Sequence, residues 1–324
     1  MNMVSASAMR LCSTCLFWLA FALPLAAQAE QDWIDDELLE LRITRACAEL
    51  RAKDLLVPCE QLVMAASSAK TFPVTPAAPR TDPLAPEALC ALVRQSARIV
   101  GHYYLCTECD DWHFSGASGC CVGSDGLVAT CHHVLGKDET MREAFLVVAD
   151  LEGHVWPAQR VVAADEGADV CVIKVDATGW VPLPIARSVQ QGQRIYCLSN
   201  PDHQFGFFSE GLLARRYRER DPVPDGSEPQ PADQVAPREW LHVTCDFAKG
   251  SSGAPIVDVR GSLVGIAQST TTVIYDEEAK VIDTQMTFKT AVPASTLAGL
   301  LPVPASESKD AARAPAANDD TGHK

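Results

Sequence analysis

Two hydrophobic patterns divide this chain. Between residues 31 and 65, apolar residues recur near helical spacing among Asp, Glu and Arg, which predicts short helices broken at Pro58. From about residue 96 to 290, short runs of Val, Ile, Leu and Tyr alternate with turn clusters instead. These runs cover residues 97–105, 119–122, 126–131, 144–148, 170–175, 194–198 and 240–244. Such spacing predicts an all-β barrel or sandwich.

Three further segments show neither pattern. Prolines between residues 70 and 86 come too densely for helix or sheet and predict a linker. Residues 218–238 are rich in Asp and Pro and predict a mobile surface loop. After Pro293 we expect a short helix through Leu301, and then a disordered tail over residues 303–324.

The first 29 residues have the pattern of a secretory signal. Arg10 is the only early charge, an apolar run follows to about Ala27, and Ala27-Gln28-Ala29 is a small-x-small cleavage pattern. An uncleaved anchor is the alternative, but the apolar core is short and Pro24 interrupts it. We therefore expect an exported protein, periplasmic or secreted, with no membrane segment after signal cleavage.

Net charge and cysteine content bear on the partners and the disulfides that can be expected. The formal net charge of −15 argues against nucleic-acid binding through a basic surface, so no nucleic-acid partner is expected. Two of the 13 cysteines lie in the signal, and the odd number that remains leaves at least one thiol without an internal partner. Export makes disulfides plausible.

A serine framed by glycines is the first candidate for a catalytic group. Residues 250–255 read Gly-Ser-Ser-Gly-Ala-Pro, and two apolar runs follow them. Glycine permits unusual backbone angles and close approach to a substrate. Consecutive N–H groups can then point at the negative oxygen that forms during acyl transfer. A turn that merely joins two strands is the plainer interpretation, so a base and an acid must be found elsewhere.

The base must come from upstream of this serine. Only His323 follows it, in the expected tail, whereas an α/β-hydrolase needs its histidine after the nucleophile. Residues 126–134 form an apolar run that ends in the pair His132-His133. An imidazole at a strand end can project into a cleft and accept a proton near neutral pH. Two surface histidines or a metal ligand are the alternatives.

An aspartate stands at the head of the next apolar strand. Asp169 precedes residues 170–175, where a partly buried carboxylate needs a partner. The far nitrogen of a histidine supplies one and fixes the tautomer that leaves the other nitrogen free to act as a base. Asp165 is the competitor, within a polar cluster, and a turn aspartate is the plainer interpretation.

At this point the chain resembles the chymotrypsin-like serine peptidases, and most closely their bacterial HtrA/Deg branch. Residues 130–134 resemble that branch's Thr-x-x-His-Val, which points to His133. Residues 168–175 resemble its Asp-Leu-Ala-Val-Leu-Lys-Val strand, and 250–255 its Gly-Asn-Ser-Gly-Gly-Pro. Ser199-Asn200-Pro201, 261–266 and 288–293 resemble its Gly-Asn-Pro turn, its Gly-x-Val-Val-Gly-Ile hairpin and its strand ending in Ile-Pro.

The resemblance implies a fold and an order of domains. It covers roughly residues 96–302 and implies a mainly β fold of two six-stranded antiparallel barrels, about 96–182 and 183–302. A helical extension (30–69), a Pro-rich linker with a short helix (70–95) and a C-terminal helix complete the expected organisation. No PDZ-sized segment follows, so we do not expect HtrA-style peptide-end recognition. Ser251 replaces the aspartate that captures a freed N-terminus in trypsin-like enzymes.

The implied activity is that of a serine endopeptidase acting on proteins or peptides. Ser252 would attack the carbonyl, His133 would act as base and then acid, and Asp169 would orient the imidazole. Backbone N–H groups of Gly250 and Ser252 would form the oxyanion hole. A catalytically silent, protease-like binding protein is the alternative, and a zinc-stabilised structural module is a third interpretation.

Substrate preference is left open by the resemblance. Asp246 lies six residues before Ser252, where trypsin-like enzymes carry the aspartate that receives Arg or Lys. Phe247 is bulky, however. Side chains near the pocket wall would also narrow it and favour a small aliphatic residue; they are Thr270, Met286 and Thr287.

The cysteines of the first barrel allow two interpretations. Cys106, Cys109, Cys120, Cys121 and Cys131 with His132 could bind zinc. Cys120, Cys121 and Cys131 also flank a predicted hairpin turn at residues 124–126, where cysteines on opposite strands could be neighbours. In an exported protein we favour disulfides, and we expect no metal and no cofactor.

Overall fold

The computed structural model describes residues 33–220, 237–276 and 281–304. The expected signal peptide therefore lies outside the described residues, as do most of the expected loop at 218–238 and of the tail after residue 303. From Asp36 onward the described chain forms one compact unit. None of its described helices has the length and apolarity needed to cross a bilayer.

Short helices flank the β region at both ends. Helix α1 buries Leu39, Ile43 and Cys47, which are spaced four apart and so share one face. Helix α3 starts with a proline, which suits the first turn because that N–H has no partner within the helix. The helices are Asp36–Ala52 (α1), Cys59–Ser68 (α2), Pro86–Ser96 (α3) and Ala294–Leu300 (α4).

Antiparallel strands form the rest of the molecule. The strands of the first sheet are Ala97–Cys106 (β1), Trp112–Gly123 (β2), Leu127–Thr130 (β3), Met141–Ala149 (β4), Val155–Pro157 (β5), Arg160–Asp165 (β6) and Val170–Lys174 (β7). Those of the second are Arg194–Ser199 (β8), Phe207–Glu219 (β9), Arg238–Val243 (β10), Pro255–Asp258 (β11), Leu263–Asp276 (β12) and Val281–Pro293 (β13). The predicted mainly β fold with flanking helices is confirmed.

The two sheets differ in closure. The second is a closed barrel in the order β10-β13-β12-β11-β8-β9, as expected. The first has seven strands in the order β5-β4-β1-β2-β3-β7-β6 and is not closed by hydrogen bonds. The additional strand is the three-residue β5, which pairs with the end of β4 at the sheet edge. A core of Ile195, Leu213, Leu241, Ile256 and Val264 fills the closed barrel.

Strand pairing brings the candidate catalytic residues toward one end of the first sheet. In the antiparallel pair β3–β7, Thr130 lies opposite Cys171. The residues just after β3 therefore lie beside those just before β7. The loop before β11 is joined to both sheets, because Ser118 N–H donates to Ser252 O and Gly253 N–H donates to Ala267 O, each at 2.9 Å.

The cysteine geometry overturns the expected hairpin disulfide. In the β2–β3 register, Cys120 pairs with Ala129 and Cys121 with Val128, so no cysteine lies opposite another. Cys120, Cys121 and Cys131 form no disulfide. Burial raises the pKa of the Cys120 and Cys121 thiols, which therefore pack as small neutral apolar groups. Cys47 and Cys59, which are buried in the N-terminal helices, form no disulfide either.

Candidate active site

The candidate base lies in a short 3-10 turn, His132–Leu135, that directly follows β3. The turn directs its two histidines to different places. His132 lines a surface cavity with Ser67 and Glu166. His133 lines a separate cavity of about 260 Å³ together with Ser252. Of the pair, His133 is therefore the one that faces the candidate nucleophile.

The candidate acid, Asp169, immediately precedes β7. Its backbone is left-handed, with φ of 53°, a conformation that Asp and Asn adopt more readily than most residues. One carboxylate oxygen accepts the backbone N–H of His133 at 2.9 Å, and the other lies 2.7 Å from Nδ1 of the same residue. A carboxylate at Nδ1 holds a proton on that nitrogen and leaves Nε2 free to accept one.

A further donor to this carboxylate comes from the closed barrel. Gln268 Nε2 donates to Asp169 Oδ2 at 2.8 Å. Burial alone raises the pKa of Asp169, but the hydrogen bonds from His133 and Gln268 outweigh it and hold the pKa below its ordinary value. The carboxylate therefore stays charged at neutral pH. Gln268 carries no motif, and sequence reasoning misses it.

The candidate nucleophile completes the hydrogen-bonded series. Ser252 Oγ lies 2.9 Å from Nε2 of His133. Serine, imidazole and carboxylate are thus joined in one line, as a base that is itself oriented by an acid requires. The His133 side chain is 48% exposed and that of Asp169 15% exposed, so the imidazole can reach a substrate while the carboxylate is sheltered.

The triad geometry also decides against a metal at this position. The ligand atoms of Cys131, His133 and Asp169 lie within 4.8 Å of one another. The Cys131 thiol is fully buried, however, and donates to Ala267 O at 3.2 Å. The other two side chains are already hydrogen-bonded to each other, so this cluster fits proton transfer better than metal binding.

Two glycines shape the serine loop. Gly250 and Gly253 have φ of 91° and 92°, in the left-handed region that favours glycine. A Cβ atom on Gly253 would lie 2.1 Å from Ser118 O, and one on Gly250 would lie 2.5 Å from Asn200 O. The glycine frame seen in the sequence is therefore a steric requirement of this loop.

The loop leaves two backbone donors beside the serine. Ser251 N–H donates to Ala248 O at 3.0 Å. Within the described residues, the N–H groups of Gly250 and Ser252 donate to no backbone carbonyl. They are therefore available to a negative oxygen next to Ser252 Oγ, which is what an oxyanion hole needs.

A buried polar network anchors this loop from the first sheet. Ser118 Oγ donates to Gly250 O at 3.0 Å and accepts the backbone N–H of Asn200 at 3.1 Å. Asn200 itself is 3% exposed and also donates its amide to Ser118 Oγ. The Ser199-Asn200-Pro201 motif in the sequence thus has a positioning part in the site. Ser118 lies in an unremarkable stretch of β2 and is not found from sequence.

One residue predicted to line the substrate pocket, Asp246, has an ion-pair partner that the sequence does not reveal. The Asp246 carboxylate forms an ion pair with Lys289 Nζ. The Lys289 side chain is 15% exposed, and its ammonium group lies 5.8 Å from the centre of the Phe247 ring. Phe247 is 5% exposed and belongs to the core of the closed barrel. Asp246 is therefore not an isolated anion awaiting a basic side chain.

Strand register explains why Lys289 is missed. It lies directly opposite Thr270 in the β12–β13 pair, whereas Thr287 and Met286 pair with Thr272 and Val273 farther along the strands. Because side chains alternate along a strand, Met286 faces the side opposite to Lys289, and it is 54% exposed. Of the predicted wall residues, Thr270 and Thr287 share the side of Lys289.

Comparison with known families agrees with this arrangement. The profile described as a trypsin-like peptidase domain matches residues 117–266. That segment contains the histidine, the aspartate and the serine just described. The chain carries a trypsin-like peptidase domain. The resemblance predicted from the motifs is thereby confirmed, while the expected lack of a PDZ domain stays a prediction.

Relatives of the peptidase domain include serine proteases of the HtrA type. The chain is 27% identical over 155 residues to the mitochondrial serine protease HTRA2 of Bos taurus, covering 47% of this chain and 31% of that protein. It is 24% identical over 152 residues to the serine endoprotease DegS of Haemophilus influenzae, covering 46% and 40%. The chain thus spans well under half the length of these relatives.

Solved structures with a similar fold are more distant in sequence. A serine endoprotease from Yersinia pestis superposes with a TM-score of 0.45 at 19% identity, covering 67% of this chain and 65% of that one. The Rv3671c protease from M. tuberculosis, in its active form, gives 0.48 at 19% identity, covering 71% and 91%.

Proposed function

We propose that this protein is an exported serine endopeptidase, with residues 96–302 as its catalytic domain and His133, Asp169 and Ser252 as its triad. The observation that carries the proposal is the unbroken series of contacts, 2.9 Å from Ser252 Oγ to His133 Nε2 and 2.7 Å from His133 Nδ1 to Asp169 Oδ2. The HtrA-type relatives of the domain, which are named as serine proteases, support the same chemistry.

Each group then has a defined part in peptide hydrolysis. His133 Nε2 takes the proton of Ser252 as Oγ attacks the carbonyl carbon, and it later gives that proton to the leaving amine. Asp169 stabilises the imidazolium that exists between these two steps. The N–H groups of Gly250 and Ser252 bind the oxygen that becomes negative. Water then repeats the sequence on the acyl-enzyme and releases the acid product.

The pocket supports a substrate with a small uncharged residue at the cleavage site. A basic side chain would have to displace Lys289 from Asp246 before it could form an ion pair there. The Lys289 side chain also occupies space on the same strand face as Thr287, opposite Thr270. The pair thus removes the electrostatic attraction that Asp246 alone would supply.

Export is part of the proposal and rests on the first 29 residues. Their charge, apolar run and small-x-small end have the order of a cleavable signal. A Brucella suis relative, 26% identical over 153 residues, is named as a periplasmic DegP-like serine endoprotease. We assign this chain to the periplasm or the medium. Edman sequencing of the purified protein tests this. An N-terminus at Glu30 would support export, and an N-terminus at Met1 would contradict it.

Covalent labelling tests the catalytic proposal directly. A fluorophosphonate probe should label the wild-type protein at Ser252 and should not label Ser252→Ala. The matched control is Ser251→Ala, which removes the neighbouring hydroxyl. Labelling that persists in Ser252→Ala would refute the assigned nucleophile. A folded wild-type protein that neither labels nor cleaves casein would instead indicate the silent binding protein.

A further inference from the structure

A second cluster of reactive side chains lies at the tip of the β1–β2 hairpin, and the catalytic proposal does not use it. Cys106 ends β1, Cys109 lies in the turn, and His113 is near the start of β2. One ligand atom from each lies within 4.8 Å of the other two. Cys109 Sγ and His113 Nε2 are 2.9 Å apart. Three donors from an eight-residue stretch therefore converge on one point.

The backbone of the turn holds this arrangement in place. Cys106 N–H donates to Asp111 O at 2.9 Å and closes the turn. Glu108 N–H donates to Cys106 Sγ at 3.4 Å, within the range expected for a bond to sulfur. An N–H group directed at a sulfur atom favours its thiolate form, and thiolate is the form that binds metals. His113 is fixed by pairing with Tyr104 across the hairpin.

We propose that Cys106, Cys109 and His113 bind a thiophilic divalent cation, with zinc as the natural occupant. Zinc takes thiolate sulfur at about 2.3 Å and imidazole nitrogen at about 2.0–2.1 Å in tetrahedral geometry, so its ligand atoms lie roughly 3.5–3.8 Å apart. The three donors need only small side-chain rotations to reach these separations. A water molecule supplies the fourth ligand, because Cys109 and His113 are both exposed. Binding releases the thiol protons to solvent.

The surroundings favour a cation over a simple Cys106–Cys109 disulfide. Glu108, Asp110 and Asp111 place three carboxylates in the same turn, where Arg142 forms an ion pair with Asp110. A divalent cation bound to two thiolates adds no net negative charge to this turn. A disulfide would also not account for the 2.9 Å contact between His113 Nε2 and Cys109 Sγ. The sequence favours disulfides and offers a larger zinc cluster only as an alternative; three members of that cluster, Cys120, Cys121 and Cys131, are buried.

A cation here would also stabilise one wall of the catalytic cavity. Thr107 N–H donates to Thr140 O at 2.9 Å, and Cys106 pairs with Met141 at the start of β4. Met141 lines the cavity that contains His133 and Ser252. The hairpin tip is thus joined by backbone hydrogen bonds to the segment beside the triad. The cation would order the 137–141 segment without touching substrate.

Metal analysis of the full-length mature protein is the test. Protein purified without chelator should contain zinc in an equimolar amount. After removal of zinc under reducing conditions, added Co²⁺ should produce the near-ultraviolet sulfur-to-cobalt absorption that thiolate ligands give. Cys109→Ser and His113→Asn should each lose the bound zinc and weaken or abolish this band. Both residues are exposed, so we expect these variants to fold, and far-ultraviolet circular dichroism checks that they do.

Two controls separate this site from adventitious binding. His154→Asn alters an exposed histidine that converges with Asp150 and Glu152, and it should leave zinc content unchanged. Cys90→Ser removes a thiol outside the hairpin and should do the same. The proposal is overturned if the wild-type protein contains no zinc and its intact mass shows a Cys106–Cys109 disulfide. It is also overturned if Cys109→Ser keeps the wild-type zinc content and the full wild-type intensity of the cobalt band.

Discussion

Two aspartates of the peptidase domain, Asp169 and Asp246, differ in how their charge is satisfied. The Asp169 side chain is 15% exposed and receives hydrogen bonds from His133 and Gln268. The Asp246 side chain is 76% exposed and faces the ammonium group of Lys289. The first carboxylate keeps its charge and orients a neutral imidazole through a hydrogen bond to Nδ1. The second has its charge offset by a cation from another strand.

This difference shows why Asp169 supports an orienting role in the triad, whereas Asp246 alone does not support a preference for basic substrates. An aspartate beside a neutral partner can polarise and orient that partner, which is what a triad needs. An aspartate beside a fixed cation has little net field left for an incoming charge. An aspartate at the position expected for a pocket that binds basic residues is therefore not enough to predict substrate preference. Its ion-pair partner, here Lys289, decides its chemistry.

The largest expected effect separates the two adjacent histidines. His133→Ala removes the proposed acceptor of the Ser252 proton, so peptide turnover should fall by at least about 10⁴-fold. His132→Ala alters a side chain that lines a different cavity and should retain most activity. Initial rates on a quenched fluorescent peptide library measure both. The reverse order of effects would assign the base to His132. Asp169 would then no longer be the carboxylate that orients the base, and its contrast with Asp246 would fail.

A smaller loss is expected when the oxyanion loop is altered with the triad intact. Gly250→Ala places a Cβ atom 2.5 Å from Asn200 O at a φ of 91°, so the loop must shift. The kcat should fall by about 10²–10³-fold, as for loss of one oxyanion donor. Gly179→Ala is the matched control, because its φ is 74° but nothing lies within 4 Å of the added atom. Equal losses in both variants would assign the effect to backbone strain alone.

Sequence reasoning reaches the three residues of the proposed triad because each lies in a local pattern. His133 ends an apolar strand, Asp169 begins one, and Ser252 is framed by glycines whose angles the loop requires. The mainly β fold follows from short apolar runs for the same reason, since strand period and turn chemistry are local properties. The seventh strand, β5, has only three residues, too few to produce a visible period.

The residues that sequence reasoning misses all act through long-range contacts. Ser118 reaches Gly250 across 132 positions, Gln268 reaches Asp169 across 99, and Lys289 reaches Asp246 across 43. None has a motif of its own. Their partners follow from how the two sheets pack and from the β12–β13 register, in which a shift of one residue moves a side chain to the other face.

A change of specificity should follow when the ion pair in the pocket is broken. Lys289→Ala frees the Asp246 carboxylate and opens space beside it. Cleavage after Arg or Lys, relative to cleavage after Ala, should rise by roughly tenfold, the equivalent of about 1.4 kcal/mol. The double variant Lys289→Ala, Asp246→Asn should lose this gain. A gain that survives in the double variant would show that space, and not charge, limits the pocket.

The smallest effect expected is on the free energy of unfolding. Its dependence on pH should differ between a substitution at Asp169 and one at Asp246. The folded pKa of Asp169 lies below its ordinary value, because hydrogen bonds from His133 and Gln268 outweigh the effect of burial. An aspartate in the unfolded chain has a pKa of about 3.9. Between the lowered folded pKa and this value, the unfolded chain therefore binds more protons than the folded one. The free energy of unfolding therefore rises with pH there. The contribution is complete above that pH and is lost as pH falls through the lowered folded pKa.

Urea unfolding of wild type and Asp169→Asn at pH 7 and at steps down to pH 3 measures this contribution. Asparagine tolerates the left-handed backbone at this position, so the substitution changes the charge with little strain. The stability difference should be largest at neutral pH and should shrink below pH about 4. Asp246→Asn, which alters an exposed ion pair, should show a much smaller difference throughout. A difference for Asp169→Asn that grows on acidification would mean that the buried carboxylate is not held in its charged form, and the contrast between the two aspartates would fail.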